Sequence, residues 1–362
     1  MKNIAVFFGG ESVEHDVSVI TGVLTLNSLE KEKFTPFPVY VDYDGTWYTG
    51  EELFDVENYK SLNLKRLKKI TLVAGSPVFC EIIKDKKLKP IFAVSCGINC
   101  MHGERGEDGA LSGLLSMCKI PLASPDITAS AICIDKRITK ILLKGLSVKT
   151  PAAAKITAHV LPENMSYPVV VKPNRLGSSI GISVAGTDGE LKTAVNLALR
   201  YGKEVIVEEK LDDFTEINCA AFLNGQGKIV VSECEKPIGK GGVLTFYDKY
   251  SGGEREFPAN IDKKISDKIK RITEKIYSAL DMKGIIRIDY FIKDGEVFVN
   301  EINTVPGSLA YYFFCDTIKE FGALLTEQIE IAEKSFAKEN TFIKKFDSKV
   351  LCIKGVKGSK RL

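Results

Sequence analysis

Residues 286–303 read IRIDYFIKDGEVFVNEIN, two apolar runs joined by Lys293-Asp294-Gly295, with Arg287, Asp289, Glu301 and Asn303 as polar insertions. A Lys-Asp-Gly break suits a three-residue hairpin loop, a type I turn followed by glycine in the left-handed region. Ile292 then faces Glu296, Arg287 faces Glu301 and Asp289 faces Val299. Side chains alternate with period two, so all four polar groups share one face, while Ile286, Ile288, Tyr290, Phe298 and Ile302 take the other. A two-residue Asp-Gly turn would shift the register by one and separate Asp289 from Glu301, so the loop type tests the reading. Two carboxylates and an amide are the oxygen donors a hard divalent cation takes, and magnesium commonly binds one or two carboxylates together with substrate phosphates. Arg287 beside them either balances their charge or holds an oxyanion. Spacing alone equally allows a solvated polar face. Thr304-Val305-Pro306-Gly307 favours a site, because a strand ending in a rigid Pro-Gly turn lets a backbone N–H approach a ligand.

The chain has 362 residues, which suggests two or three domains, and a formal charge of +3, which marks no strong electrostatic partner. Basic residues are dispersed, which argues against a nucleic-acid surface; the local cluster from Lys354 to Arg361 reads as a frayed tail. The N-terminus runs directly into an apolar strand, with neither a signal-peptide pattern nor a run long enough for a bilayer, so a cytoplasmic protein with no membrane partner is expected. Nine scattered cysteines without a Cys-x-x-Cys pair suit reduced, mostly buried thiols, and three histidines are too few for a zinc centre.

Lys2 to Phe8 predicts a buried strand, Val13 to Ser28 a helix with Ser12 as its N-cap, Pro36 to Val41 a second strand, and Pro90 to Cys96 another buried strand. Trp47 to Ile70 is polar and unassigned, and Thr71 to Lys87 predicts short strands with a basic turn. Strands alternating with helices imply a parallel sheet with ligand loops at the strand ends. After Pro125 the character changes: a helix over Ile127 to Leu143, a strand over Pro168 to Lys172, a glycine and serine loop from Asn174 to Gly181, and a strand over Val205 to Leu211. The glycine-rich segment from Gly239 to Gly253 precedes a long helix over Lys263 to Leu280, and a last helix covers Ile318 to Lys338.

Residues 172–181, KPNRLGSSIG, end a strand and supply small residues whose N–H groups can turn around a phosphate; the order of glycine and lysine is wrong for a P-loop, and a plain hairpin turn is the commoner use of such a segment. Lys136 could flank a polyphosphate together with Lys172, although a lone lysine near a helix start is usually solvated. Glu14, in a turn that is structural by default, could accept a substrate ammonium. The loop His102-Gly103-Glu104-Arg105-Gly106-Glu107-Asp108-Gly109 carries too much charge between a buried strand and a helix to be mere punctuation.

Taken in order, Gly9-Gly10-x-Ser12-x-Glu14, His102-Gly103 with Gly106-Glu107-Asp108-Gly109, Asp135-Lys136, Lys172-Pro173 with Gly177-Ser178-Ser179-Gly181, Lys249-Tyr250, Arg287-Ile288-Asp289 and Glu301-Ile302-Asn303 with Pro306-Gly307 resemble the D-alanine–D-alanine ligases of the ATP-grasp superfamily, from about Asn3 to Ala332. The resemblance implies an α/β chain of three domains: an N-terminal parallel-sheet domain over 1–125 that binds the first amino acid, a central ATP-grasp domain over 126–211, a C-terminal ATP-grasp domain with the metal site over 212–345, and a basic tail over 346–362. It implies ATP bound by Lys136, Lys172, Ser178, Ser179 and Lys249, with Lys136 and Lys172 on its phosphates, the Glu208-Glu209-Lys210-Leu211 backbone on adenine and Glu216 on ribose. Magnesium, as two ions with manganese as a substitute, falls on Asp289, Glu301 and Asn303. Glu14, His102, Arg287, Gly307 and Ser308 fall on the substrates, D-alanine and a second D-amino acid, with Glu14, Ser178 and Tyr250 in one hydrogen-bonded set and Gly239 to Gly253 as a lid. A homodimer is implied as well.

Two stretches depart from the family pattern. The chain between Phe246 and Lys249-Tyr250 is short, and Ser308-Leu309-Ala310-Tyr311-Tyr312 stands where close relatives commonly carry Ser-His after Pro-Gly. Both bear on the acceptor, so D-serine stays open beside D-alanine, as does another carboxylate–amine ligase of the same fold. A regulator without turnover is disfavoured by the complete set of lysines, acids and arginine. A dinucleotide site fails because Gly9-Gly10-Glu11-Ser12 has no Gly-x-Gly-x-x-Gly spacing.

Overall fold

The computed structural model describes residues 1–156, 166–238 and 254–349, and three main sheets follow one another along the chain. The first holds β1 (Lys2–Gly9), β2 (Phe34–Val41), β3 (Trp47–Thr49), β4 (Lys68–Leu72), β5 (Val78–Ile82), β6 (Leu88–Ala93) and β7 (Cys96–Asn99), in the order β6-β5-β4-β3-β2-β1-β7. β1 is parallel to β2 and β7, and pairing from β2 outward is antiparallel, so the expected parallel sheet is in fact mixed. Its parallel part lies where α1 (His15–Ser28) supplies the crossover from β1 to β2. The strand expected over Pro90 to Cys96 is two strands. Pro90 lies on the exposed edge strand β6, where a missing N–H can be tolerated, and the buried partner of β1 starts at Cys96. The unassigned stretch from Trp47 holds β3 and three short 3-10 turns before β4.

Past α2 (Ala110–Met117), the helix expected over Ile127 to Leu143 is broken into α3 (Ile127–Ile134) and α4 (Lys136–Gly145). Asp135 between them is extended, and its Oδ1 accepts the Ile138 N–H at 3.0 Å, so it caps α4 and leaves Lys136 as that helix's first residue. The second sheet is antiparallel and combines β8 (Ala153–Ile156), β9 (Val169–Pro173), β10 (Ser183–Ala185) and β11 (Val205–Glu209) in the order β10-β9-β11-β8.

The third sheet holds β12 (Thr215–Leu223) and β13 (Ile229–Val231), with β14 (Lys236–Ile238) and β15 (Glu254–Glu256) forming a separate ribbon. It is completed by the hairpin of β16 (Ile286–Lys293) and β17 (Glu296–Asn303), in the order β13-β12-β16-β17. Lys293 faces Glu296, and the two residues between them, Asp294 and Gly295, have φ of 50° and 73°. The loop is therefore the two-residue Asp-Gly type, whose positive φ values match strand twist, and not the three-residue type expected. Left uncorrected, that register would send Glu301 to the wrong face. A β-bulge corrects it: Tyr290 faces Val299 but Asp289 faces Glu301, with Asn300 as the extra residue, and Arg287 faces Asn303. The four polar groups thus share a face by a different register. Val297 and Val299, not Phe298, join Ile288, Tyr290 and Ile302 in the core against Ile269 and Ile276 of helix Lys263–Ala279.

The C-terminal helix Ile318–Glu339 returns to the first sheet, and Phe321 and Leu325 share a core with Ile4, Phe8 and Leu26. Glycine is required twice in this packing: a Cβ on Gly22 would lie 2.3 Å from the Phe8 ring, and one on Gly322 would lie 2.4 Å from the Ser28 carbonyl. This packing docks the turn that follows β17 onto α1. Eight cysteines among the described residues are free thiols, seven of them buried. Among the described residues no helix is long and apolar enough to cross a membrane.

Candidate active site

A cavity of about 690 Å³ opens between the second and third sheets, and Lys136, Lys172, Ser179, Glu208 to Leu211, Glu216 and Glu301 all line it. The bulge shapes its inner edge by turning two consecutive side chains, Asn300 and Glu301, toward the space. Lys172 Nζ donates to Asn300 Oδ1 at 3.1 Å, and Lys136 Nζ stands 3.6 Å from Glu301 Oε2. Two ammonium groups from separate elements therefore converge on one edge of the hairpin. Lys172 also lies 2.8 Å from Glu208 Oε2, whose other oxygen is 2.9 Å from Lys140 Nζ. Burial raises the Glu208 pKa, but the two lysines outweigh it and hold the carboxyl below its ordinary value. Glu209 accepts the Ala152 N–H at 2.8 Å and Lys210 pairs with Asp212, while the backbone N–H groups of these two residues donate to the Ala152 and Pro168 carbonyls, so the end of β11 is held rigidly at the cavity wall.

The loop after β9 serves both sides of the site. Lys136 Nζ donates to the Leu176 carbonyl at 2.7 Å, and Asn174 anchors the loop by accepting the Arg137 N–H on its side chain at 3.1 Å. Ser178 and Ser179 have φ of 52° and 58°, a left-handed conformation that costs a non-glycine residue roughly 1–2 kcal/mol and needs outside support. Part of that support is the hydrogen bond from Ser178 Oγ to Glu14 Oε1. Glu14, not Ser12, occupies the N-cap position of α1, and Ser12 Oγ accepts the Glu14 N–H at 3.1 Å; the carboxylate is thereby held at the helix start and only 4% exposed.

Gly307 opens a turn in which Ser308, Leu309 and Ala310 have φ of 52°, 49° and 49°. Three left-handed non-glycine residues in succession are costly, and their anchorage is visible: the Ser308 N–H donates to Thr21 Oγ1 at 3.0 Å, and the Leu309 N–H to the Pro306 carbonyl at 2.8 Å. Thr21 Oγ1, which accepts the Ser308 N–H, also lies 3.2 Å from His102 Nε2, so one hydroxyl bridges the turn and the imidazole, with the His102 tautomer setting the direction of the second bond. Burial, reinforced by the Arg287 charge, pulls the His102 pKa down to about 3. With the folded value below the unfolded one, the unfolded chain binds more protons in between, so this group's stabilisation is complete above about 6.5 and is lost as pH falls toward 3. Equilibrium unfolding of His102→Gln is expected to vary less steeply with pH than that of the parent across this window, and identical slopes would refute the assignment.

Glu107, Asn300 and Thr21 were not singled out from sequence as site residues. Glu107 accepts the Gly103 N–H at 2.8 Å and the Val305 N–H at 3.3 Å, tying the His102 loop to the turn that carries Gly307. Burial first, and then the neighbouring Glu14 charge, raise its pKa. The acid-rich loop was the available signal for Glu107; no local signal marks Thr21 or Asn300.

At the centre, Arg287 grips Asp289 with two bonds, Nε to Oδ1 at 2.6 Å and Nη2 to Oδ2 at 2.9 Å, with the side chains 16% and 2% exposed. Asn303 Nδ2 reaches the Arg287 carbonyl at 3.4 Å. Among the described residues no group of three or more His, Cys, Asp or Glu is arranged to hold a metal ion. Asp289 and Glu301 face each other across the strands with Asn303 on the same face, and two carboxylates and an amide are a donor set that would suit magnesium sharing its coordination with a phosphate ligand rather than a closed structural ion. Lys249, Tyr250 and the Gly239 to Gly253 segment lie outside the described residues.

The family described as D-ala D-ala ligase N-terminus matches residues 3–125, and that described as D-ala D-ala ligase C-terminus matches residues 144–331. The chain is 33% identical to a D-alanine–D-alanine ligase of Thermosipho melanesiensis, over 98% of this chain and 99% of the relative. A D-alanine–D-alanine ligase of Proteus mirabilis is 31% identical over 91% of this chain and 94% of its own. Among solved structures, the Helicobacter pylori D-alanine–D-alanine ligase superposes with a TM-score of 0.75 at 28% identity, covering 91% of this chain and 98% of that one. The Enterococcus faecalis VanG D-Ala:D-Ser ligase also gives 0.75, at 27% identity, covering 91% and 99%. With both halves of the chain matched in order and relatives aligned end to end, the protein belongs to the D-alanine–D-alanine ligase family of ATP-grasp enzymes.

Proposed function

We propose that the protein uses ATP to join two D-alanines, for peptidoglycan precursors, through a D-alanyl phosphate. One observation supports this above the others: the loop after β9 takes Lys136 on its Leu176 carbonyl and reaches Glu14 through Ser178, so the lysine-lined cavity and the buried carboxylate are parts of one site. In this reading Lys136 and Lys172 hold the phosphates, the β11 backbone from Glu208 to Leu211 takes adenine and Glu216 takes ribose. Glu14, bonded to Ser178, holds the ammonium of the first D-alanine, with His102 on the same substrate. The carboxylate of that D-alanine attacks the terminal phosphorus and displaces ADP, and the neutral amine of the second D-amino acid then attacks the acyl carbon, expelling phosphate and losing a proton as the amide forms. Arg287 and the Gly307 N–H face the oxyanion of that tetrahedral step, with Ser308 beside them. Asp289, Glu301 and Asn303 would hold magnesium, with manganese as a substitute, which supplies charge neutralisation between anionic reactants. Lys249 and Tyr250 enter the reading from sequence alone. It further makes the protein a cytoplasmic homodimer divided at about residues 125 and 211.

Phosphate release from ATP and magnesium is expected to require D-alanine and to yield one dipeptide per phosphate. Hydrolysis indifferent to D-alanine would overturn the reading, and a clear preference for D-serine as second substrate would move the chain to the D-Ala:D-Ser ligases. Independently of turnover, ATP with magnesium at 100 times its dissociation constant should add about 2.7 kcal/mol to unfolding stability, read as a rise in melting temperature. An unchanged melting temperature at saturating nucleotide would rule out the cavity as the nucleotide site.

A further inference from the structure

Three ligands have to meet at Arg287 if two amino acids and ATP react there, and two approaches are accounted for. The lysine-lined cavity reaches the hairpin through Asn300 and Glu301, and the Glu14 carboxylate closes the buried side. Among the described residues, Tyr312 and Arg255 stand on another side of Arg287. Tyr312 belongs to the turn that begins at Gly307, and its phenol engages the Arg287 guanidinium; burial raises its pKa, with Glu235 and Asp289 also near enough to act on it. Arg255, on β15, lies over that ring with its guanidinium carbon 4.7 Å from the centroid, and 5.4 Å from that of Phe257. Its Nη1 is 3.2 Å from Glu235 Oε1, and Glu235 Oε2 in turn accepts from Asn218 Nδ2 at 3.1 Å. The Arg255 side chain is 41% exposed and the Glu235 side chain 5%, so the guanidinium is the solvent end of a chain of contacts that runs inward through Tyr312 to Arg287.

We propose that Arg255, held by Glu235 and by the Tyr312 face, takes the carboxylate of the second amino acid as it approaches Arg287. The inference rests on the ligase reading. An acceptor amine attacks only when neutral, which leaves an amino acid acceptor with an uncompensated carboxylate. A planar guanidinium with several outward N–H donors meets that group in a fixed orientation, and aromatic stacking holds the plane still. Tyr312, from the turn that begins at Gly307, and Glu235 hold the guanidinium in place, so the recognition is carried by a cation from the neighbouring ribbon.

The test compares D-alanine with D-alaninamide as acceptor at fixed ATP, magnesium and D-alanine donor; the amide keeps the amine and methyl group and lacks the negative charge. The parent enzyme is expected to favour D-alanine by about 100-fold in acceptor kcat/KM. Arg255→Met should reduce that ratio to below about 5-fold, with the KM values for ATP and donor unchanged, and Arg255→Lys should fall between them. An Arg255→Met ratio equal to the parent's, or a parent that does not discriminate, overturns the proposal. Should Arg255→Met fail to fold, Arg255→Gln is read in the same assay against the same thresholds. A parent with no D-alanine-dependent phosphate release defeats the ligase reading instead, so the two failures are distinct.

Discussion

Glu301→Gln is expected to fold like the parent and to lose at least about 1,000-fold in turnover, the loss associated with removing an electrostatic element from a phosphoryl-transfer site. The variant is nearly isosteric, and Glu301 lies on the cavity side of the hairpin with Lys136 at 3.6 Å, so no core packing is disturbed. What changes is one negative charge facing Asp289 across the strands. If the two carboxylates share a cation, the amide cannot replace the second, and the magnesium concentration needed for half-maximal nucleotide-induced stabilisation should rise with the loss of turnover. Turnover within tenfold of the parent, with an unchanged magnesium dependence, would remove Glu301 from the site.

Arg287→Met should affect both stability and chemistry. Asp289 is 2% exposed and held at both oxygens by Arg287, so removing the guanidinium strands a buried carboxylate at a cost of about 3–5 kcal/mol, measurable as a lower urea midpoint. The double variant Arg287→Met with Asp289→Leu discriminates between roles, because replacing both partners of a buried pair by apolar groups is often neutral. Stability should return toward the parent's while turnover stays absent. Recovery of both would mean that the pair serves only the fold, and recovery of neither would mean that the hairpin depends on it in some other way.

Sequence made the order of elements legible through hydrophobic period and punctuation. Asp135-Lys136 carried a helix start that the expected continuous helix passed over: the aspartate caps, and the cap aims Lys136 at the glycine and serine loop. The residue types of the hairpin pointed to a cation and phosphate site, yet its geometry was misread. Both Asp294 and Gly295 tolerate positive φ, which selects the shorter turn, and the resulting one-residue error is absorbed at Asn300. A bulge position depends on which side chains find the core, here Val299 inside and Asn300 and Glu301 outside. The mixed pairing of the first sheet was hidden for a different reason: period-two alternation is blind to strand direction.

By itself, the chain's sequence determined which chemical groups exist and roughly which element carries each: two lysines at strand and helix ends, acids and an arginine on a hairpin, a glutamate at the first helix start. Tertiary structure alone decided that Ser178 meets Glu14, that Thr21 joins His102 to Ser308, that Glu107 ties a loop to a turn 198 residues away, and that Tyr312 stands between Arg287 and Arg255. Local propensity acts over a few residues, whereas these contacts join segments brought together by burial of a common core, and burial does not specify in the sequence which distant polar atoms it will place within hydrogen-bonding reach.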